Sequence, residues 1–133
     1  MSDTVVSTLS TLTTFTAADG ENLAVQDWPL LEGTSRGTVL LVHGLGEHVG
    51  RYDAVARRLN AWGFAVRGYD QYGHGESGGP RGGLTGEMRL LDDLADIVDA
   101  TRARMAPGQP LVLLGHSMGG LVAARFVSMH LRP

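Results

Sequence analysis

The spacing of apolar residues along the chain predicts short strands that alternate with helices. Five segments are predicted to be strands: residues 11–16, 23–28, 38–42, 64–69 and 111–114. The first two flank the turn Asp19-Gly20, a dipeptide that favours an antiparallel hairpin. The third and the fifth are apolar runs, which are typical of strands buried on both faces of a sheet.

Three segments have apolar residues at helical spacing. The apolar positions of the first are Tyr52, Val55, Ala56, Leu59 and Trp62. Those of the second are Met88, Leu91, Leu94, Ala95, Val98 and Met105. Gly63 is placed to end the first helix, while Thr85 can cap the second, which ends before Pro107-Gly108. The third predicted helix covers residues 117–130, and the acidic residues between 92 and 99 are interpreted as a solvated face of the second.

The order of these elements predicts an α/β fold. A hairpin comes first, and strands then alternate with helices, which favours a mostly parallel sheet covered by helices on both faces. Residues 1–10 are rich in Ser and Thr and are predicted to be a flexible N-terminus. Residues 11–133 are predicted to form one domain.

Composition and charge exclude several classes of protein. The 133 residues include 11 basic and 14 acidic side chains, a net charge of −3, which argues against a nucleic-acid binder. There is no cysteine, so disulfides, thiolate metal sites and cysteine nucleophiles are excluded. No stretch has the layout of a signal peptide or the length of a transmembrane segment, and we therefore expect a cytoplasmic protein.

The strongest chemical signal is a glycine-flanked serine between a strand and a helix. Residues 115–119 (Gly-His-Ser-Met-Gly) match the pattern G-x-S-x-G and follow the fifth predicted strand directly. A serine hydroxyl is a poor nucleophile unless it is exposed and close to a base. A tight turn from strand to helix exposes it and tolerates only small neighbours. We therefore predict that Ser117 is a catalytic nucleophile.

A second segment matches the same pattern without the surroundings that the chemistry needs. Residues 75–79 (Gly-Glu-Ser-Gly-Gly) follow a loop and precede Pro80, so no helix can begin there to form the turn. We interpret Ser77 as a turn residue.

Neither a nucleotide nor a metal is predicted as a cofactor. Residues 73–78 match G-x-G-x-x-G, but that fingerprint has to open a helix after a strand. The spacing of His48, Asp70 and His74 matches no established metal-ligand pattern.

The segment after the third predicted strand supplies a second signal. Acyl transfer passes through a tetrahedral oxyanion that needs two preorganised N–H donors. One donor is the amide after the nucleophile, here Met118, and the other comes from this loop, where Leu45 is the predicted position. Taken alone, such a glycine-rich segment is equally typical of a plain connection. The residues predicted to shape the two loops are His43, Gly44, Gly115, His116 and Gly119.

Three motifs together resemble one branch of the α/β-hydrolases. They are residues 43–48 followed by Arg51-Tyr52, residues 70–77 (Asp-Gln-Tyr-Gly-His-Gly-Glu-Ser) and residues 115–120. In this order they look like the monoacylglycerol lipase and lysophospholipase branch, which is also grouped with the serine aminopeptidase-like (S33) hydrolases. The resemblance implies a serine carboxylester hydrolase that acts on a small acyl ester, a monoacylglycerol or a lysolipid.

The resemblance also implies parts that these residues do not supply. The triad of this fold runs in the order Ser, Asp or Glu, His, but no acid follows Ser117. His130 would lie roughly 20 Å along the helix axis from the serine, too far to be its base. We therefore expect an N-terminal portion of such a hydrolase, truncated after the helix that follows the nucleophile and inactive alone. Residues 111–114 would then expose a sheet edge through which chains could associate.

Two alternatives stay open from the sequence. One is a peptidase-type α/β-hydrolase, because the fold does not determine the substrate. The other is a catalytically inert fragment or binding module that needs a partner chain to complete its sheet.

Overall fold

Strands and helices alternate through the part of the chain that the computed structural model describes, which is residues 10–17, 20–30, 35–44, 48–71, 77–78, 87–116 and 118–129. The strands are β1 (Thr11–Thr16), β2 (Asn22–Trp28), β3 (Thr38–Val42), β4 (Ala65–Tyr69) and β5 (Leu111–Gly115). The helices are α1 (Asp53–Ala61), α2 (Glu87–Arg102) and α3 (Met118–Ser128), and a 3-10 turn (Val49–Tyr52) precedes α1. Every strand matches its predicted bounds to within one residue.

The strands form a mixed sheet in the order β1-β2-β4-β3-β5. β1 and β2 pair antiparallel as the predicted hairpin, with Thr16 opposite Asn22, and β2 is also antiparallel to β4. β3 is parallel to both of its neighbours, β4 and β5. The predicted α/β fold is confirmed, and the hairpin adds antiparallel pairings at one side of a parallel centre. The predicted flexible residues 1–9, with Asp19 and Thr85, lie outside the described residues.

β3 lies between β4 and β5, although it precedes both in the chain. From β3 the chain passes through α1 to β4 on one side, and from β4 it passes through α2 to β5 on the other side. Where connections leave a parallel sheet in opposite directions, a crevice forms outside the carboxyl ends of the strands, and α/β proteins bind ligands there. The carboxyl ends of β3 and β5 therefore mark the expected position of a functional site.

β3 is buried along its whole length and separates two apolar cores. Leu40 and Val42 face the core that α2 and α3 cover. Val39 and Leu41 face the core that the 3-10 turn and α1 cover. Because successive side chains of a strand point to opposite faces, a strand covered on both faces needs apolar residues at every position, and this made β3 predictable.

α1 ends where the sequence predicts. Gly63 has a φ of +97°, a left-handed conformation that glycine adopts without steric cost. Its N–H donates to the carbonyl of Asn60 at 2.9 Å, and the N–H of Phe64 donates to the carbonyl of Leu59 at 3.0 Å. These bonds satisfy carbonyls that the helix end would otherwise leave without donors. Tyr52, which was predicted in this helix, ends the 3-10 turn before it.

α2 differs from its prediction at one end and on one face. Met105 lies beyond the last helical residue, because the N–H of Met105 bonds to the carbonyl of Arg102 at 3.1 Å in a tight turn. The acidic residues are not a uniformly solvated face, since Asp93 is 4% exposed. Its carboxylate accepts a hydrogen bond from Nε of Arg89, one helical turn earlier, at 2.9 Å. The ion pair allows this carboxylate to lie beside the apolar core.

None of the helices formed by the described residues combines the length and apolar character that crossing a lipid bilayer requires.

Candidate active site

The two predicted loops meet at the carboxyl end of β3. The N–H of His116, directly after β5, donates to the carbonyl of Val42 at 3.1 Å. Gly119, in the first turn of α3, lies against the carbonyl oxygens of Val42 and His43. The ends of β3 and β5 and the first turn of α3 are therefore adjacent at the crevice that the topology predicts.

Gly115 and Gly119 have no room for a side chain. A Cβ atom on Gly115 would lie 2.5 Å from the carbonyl oxygen of Gly119, and a Cβ atom on Gly119 would overlap with backbone carbonyls at the end of β3. The N–H of Gly119 also donates to the carbonyl of His116 at 2.9 Å. Only two residues separate β5 from α3. So tight a change from strand to helix requires glycine at both flanking positions, which is the physical content of the G-x-S-x-G pattern.

Two of the predicted site residues, Ser117 and Leu45, lie outside the described residues. Met118, the other predicted oxyanion donor, is the first residue of α3, and its side chain packs against the core between α2 and α3. The N–H groups in the first turn of a helix lack partners within the helix, and the helix dipole favours negative charge there. The position of Met118 is therefore suited to hold an anion.

His43 is completely buried, and both of its ring nitrogens are engaged. The N–H of Gln71 donates to Nε2 at 2.9 Å, so Nε2 carries no proton. Nδ1 lies 2.7 Å from the carbonyl oxygen of Gly44 and must then be the protonated nitrogen. The hydrogen bonds thus define a neutral imidazole, which links the loop after β3 to the loop after β4 and is not placed to act as a general base.

The loop after β4 connects neighbouring elements through Asp70 and Ser77. The carboxylate of Asp70 accepts the N–H of Val49, where the 3-10 turn begins, at 2.7 Å. Ser77 is 2% exposed, accepts the N–H of Ala24 at 2.7 Å and donates to the carbonyl of Asp70 in a short hydrogen bond. Ser77 lies in a bend and joins β2 to this loop.

His116 is exposed, and its ring meets the edge of Tyr52, with ring centroids 6.4 Å apart and an angle of 65° between the planes. Tyr52 ends the 3-10 turn, so this contact joins the segment after β3 to the segment after β5. The contacts of Tyr52 and Gln71 were not identified from the sequence. Gln71 could have been noticed because it follows the end of a parallel strand, where the functional residues of α/β folds concentrate.

Tyr69, the last residue of β4, is buried, and its hydroxyl has no hydrogen-bond partner among the described residues. Burial raises the pKa of Tyr69 above its ordinary value, and the negative charge of Asp93 raises it further. The phenol therefore stays neutral and contributes packing beside the site.

A cavity of about 190 Å³ lies at the amino ends of β3 and β4, at the opposite end of the sheet from His43. Its wall includes an ion pair between Arg67 and Asp27 at 2.9 Å, and Arg67 also donates to Thr101. The cavity is thus separate from the residues predicted to carry chemistry.

In the described part of the chain, no cluster of three or more His, Cys, Asp or Glu side chains is placed to hold a metal ion.

Comparison of the sequence with known proteins finds one family model and several related lipases. A model of the family described as serine aminopeptidase, S33, matches residues 33–133. Monoglyceride lipase of Homo sapiens is 39% identical over 106 residues, which are 80% of this chain and 34% of that protein. Monoacylglycerol lipase of Mycolicibacterium smegmatis is 45% identical over 85 residues, which are 64% of this chain and 30% of that protein.

Comparison of the structure agrees with the sequence. A soluble variant of monoglyceride lipase from Saccharomyces cerevisiae, solved in complex with a substrate analog, has a TM-score of 0.82 and 30% sequence identity. The match covers 92% of this chain and 40% of that chain. The chain spans about a third of the length of the curated relatives it matches. With the family match extending from residue 33 to residue 133 and the same fold in solved relatives, the chain belongs to the serine aminopeptidase S33 family of α/β-hydrolases.

Proposed function

We propose that this chain carries the nucleophile and the oxyanion hole of a serine carboxylester hydrolase that acts on monoacylglycerols or lysolipids. The observation that supports the proposal most is the backbone crowding at Gly115 and Gly119, beside the end of β3. A turn that excludes every side chain but hydrogen at both positions matches what an exposed nucleophilic serine requires. The relatives named monoglyceride lipase support the substrate class, which the fold alone does not determine.

In this proposal Ser117 attacks the ester carbonyl carbon. The carbonyl oxygen becomes an oxyanion, which accepts hydrogen bonds from the N–H groups of Met118 and Leu45. The alcohol leaves with a proton, and water then cleaves the acyl-serine to release a fatty acid. In this fold the acid and then the base follow the nucleophile, but no Asp or Glu follows Ser117, and the proposal assigns neither role to any of residues 1–133.

The test is active-site labelling of the protein as isolated from its source. The protein is treated with a fluorophosphonate, its intact mass is recorded, and the modified peptide is sequenced by mass spectrometry. We expect one adduct, on Ser117, and its complete loss in Ser117→Ala. Ser77→Ala, the matched variant of the other glycine-flanked serine, is expected to keep the adduct.

Labelling that survives Ser117→Ala would contradict the proposal, as would a folded protein with a mass above 14.1 kDa that takes no label at all. A folded protein of 14.1 kDa that takes no label favours the catalytically inert fragment, because none of residues 1–133 is assigned as the base. Hydrolysis assays on monoacylglycerols, lysolipids and aminoacyl amides then separate the esterase from a peptidase-type activity. The cytoplasmic location predicted from the sequence stays a prediction.

A second candidate function is supported by the edge of β5. Among the described residues no strand pairs with β5 on the side away from β3. Val112 and Leu114 are 44% and 41% exposed on one face, while Leu111 and Leu113 line a recess with Phe126 on the other. Such an edge is suited to pair with a further strand. The chain would then be a binding module completed by a partner chain or a second copy, and a folded, unlabelled protein that elutes as a complex would favour this candidate.

A further inference from the structure

Gln71 is buried two residues after the end of β4, and it holds His43 through its main chain and through its side chain. Its main-chain N–H donates to Nε2 of the His43 ring at 2.9 Å. Its side-chain Nε2 donates to the carbonyl oxygen of His43 at 2.7 Å. The first bond orients the imidazole, and the second fixes the main chain of the same residue.

His43 is the residue at which the end of β3 meets the first turn of α3, to which Met118 of the proposed oxyanion hole belongs. Its ring donates to the carbonyl of Gly44, directly before Leu45 in the sequence. Its own carbonyl lies against Gly119, in the first turn of the helix that Met118 begins. A shift of the His43 carbonyl would therefore change the distance between the loop after β3 and the amino end of α3.

We propose that Gln71 is a positioning residue whose side chain, through the carbonyl of His43, fixes the position of the first turn of α3 and so of the N–H of Met118 in the proposed oxyanion hole. The inference rests on the proposed function and goes beyond it, since Gln71 acts through His43 and not on the ester. Loss of the side-chain bond leaves the main-chain bond to the imidazole in place. The fold is thus expected to persist while the His43 carbonyl loses its fixed position.

We expect the Gln71 side chain to affect the covalent step and not the binding of the ester, because an oxyanion hole works by holding its donors where charge develops. A misplacement of about 1 Å costs on the order of 100-fold in rate. Removal of the Gln71 side-chain amide is expected to lower the rate constant for acylation by about 10-fold to 100-fold on that scale. The affinity for the unreacted ester or probe is expected to stay unchanged.

The chain offers a matched control in Gln109. Its side-chain Nε2 also donates to a main-chain carbonyl, that of Ser35, at 2.8 Å, but at the amino ends of β3 and β5. Gln71→Met and Gln109→Met each keep the approximate volume of the side chain and remove one such bond. The labelling of each variant with a fluorophosphonate is measured over a series of probe concentrations, which separates reversible binding from the covalent step.

A second measurement is independent of catalysis. Hydrogen exchange is followed at the amides of His116 and Gly119, which bond to the carbonyls of Val42 and His116 at this junction. Gln71→Met is expected to raise their exchange by about 10-fold, and Gln109→Met is expected to leave it within twofold of wild type.

The two measurements separate failure of this inference from failure of the proposed function. A covalent rate constant that falls only in Gln71→Met, with unchanged probe binding, supports the positioning role. A covalent rate constant within twofold of wild type overturns it. If a wild-type protein with a mass above 14.1 kDa takes no label, the proposed function fails. In that case, and for an unlabelled protein of 14.1 kDa, hydrogen exchange decides about Gln71: a rise confined to Gln71→Met supports the role, and equal exchange in all three proteins overturns it.

Discussion

Two segments of this chain carry the same G-x-S-x-G pattern in opposite surroundings. Ser77 is buried between β2 and the loop after β4, with both its donor and its acceptor capacity used by backbone groups. Residues 115–119 stand instead between a parallel strand and a helix, at the point where the sheet topology opens a crevice. The pattern therefore predicts a nucleophile only where a strand precedes it and a helix follows it.

The glycines of the two segments differ in the same way. A Cβ atom on Gly78 would meet the carboxylate of Glu21, the far end of a side chain that can move away. A Cβ atom on Gly119 would meet main-chain carbonyls of β3, and these cannot move without breaking the sheet. A side chain could thus be accommodated at Gly78, whereas glycine is a steric requirement at Gly119.

The largest change in stability is expected for Gly119→Ala. The added methyl group collides with the carbonyls of Val42 and His43, so we expect a loss of about 3 kcal/mol or more in the free energy of unfolding. Urea denaturation measures it. The control is Gly120→Ala, where the nearest atom to an added Cβ, the carbonyl oxygen of Gly115, is 3.5 Å away. There we expect a gain of roughly 0.5–1 kcal/mol, because alanine favours the helix. Equal stability of the two variants would contradict the steric requirement assigned to Gly119.

An intermediate effect is expected for Ser77→Ala. It leaves the buried N–H of Ala24 without its acceptor, which costs about 1–3 kcal/mol of unfolding free energy, again measured in urea. Ser128→Ala removes an exposed hydroxyl that bonds to the carbonyl of Arg125 and should cost about 0.5 kcal/mol or less. A Ser77→Ala variant as stable as Ser128→Ala would mean that Ser77 does not hold this end of the sheet together.

The smallest effect on the free energy of unfolding is expected at Asp53. This residue belongs to neither segment, and its substitution shows how little a surface contact contributes. Hydrogen bonds from Arg57 and from the indole of Trp28 hold the pKa of Asp53 below its ordinary value of 3.8. Its contribution to stability is therefore present above that value and is lost as the pH falls through the lower pKa of the folded state. Because the side chain is half exposed, solvent screening limits the contribution to less than about 1 kcal/mol.

The measurement is urea denaturation of wild type and Asp53→Asn at pH 7 and at pH 2.5. We expect wild type to be more stable at pH 7 and the two proteins to converge at pH 2.5. A difference that grows as the pH falls would reverse the sign assigned to this carboxylate.

β3 was predictable because burial on both faces leaves an apolar run in the sequence, and Gly63 ends α1 because a left-handed residue is needed there. β5 is an equally apolar run, but the prediction that it is buried on both faces was wrong, since its residues alternate between half-buried and exposed. Asp93 was interpreted wrongly because its burial depends on the core beside it, and the sequence of a helix does not show which core it will contact. The spacing of Arg89, four residues earlier, is visible in the sequence, but the packing that buries Asp93 is not.

The candidate site was predictable only in part, for the same reason. Ser117, Leu45 and Met118 follow from motifs, and their roles stay predictions. Gln71 contacts a residue 28 positions earlier in the chain, and the neighbouring sequence does not indicate which residue it contacts. Only the strand order, which brings the ends of β3 and β4 together, makes the pair visible.

The central place of β3 has a consequence for biosynthesis. This strand leaves the ribosome before either neighbour exists, and all five of its residues are ones that the finished protein buries. Its second neighbour begins only at Leu111, and at 5–20 residues per second the intervening chain takes roughly 3–14 s to make. During that interval one side of β3 stays available for pairing with other nascent chains. Slow translation before β5 would therefore lengthen the period in which a trigger-type chaperone is needed.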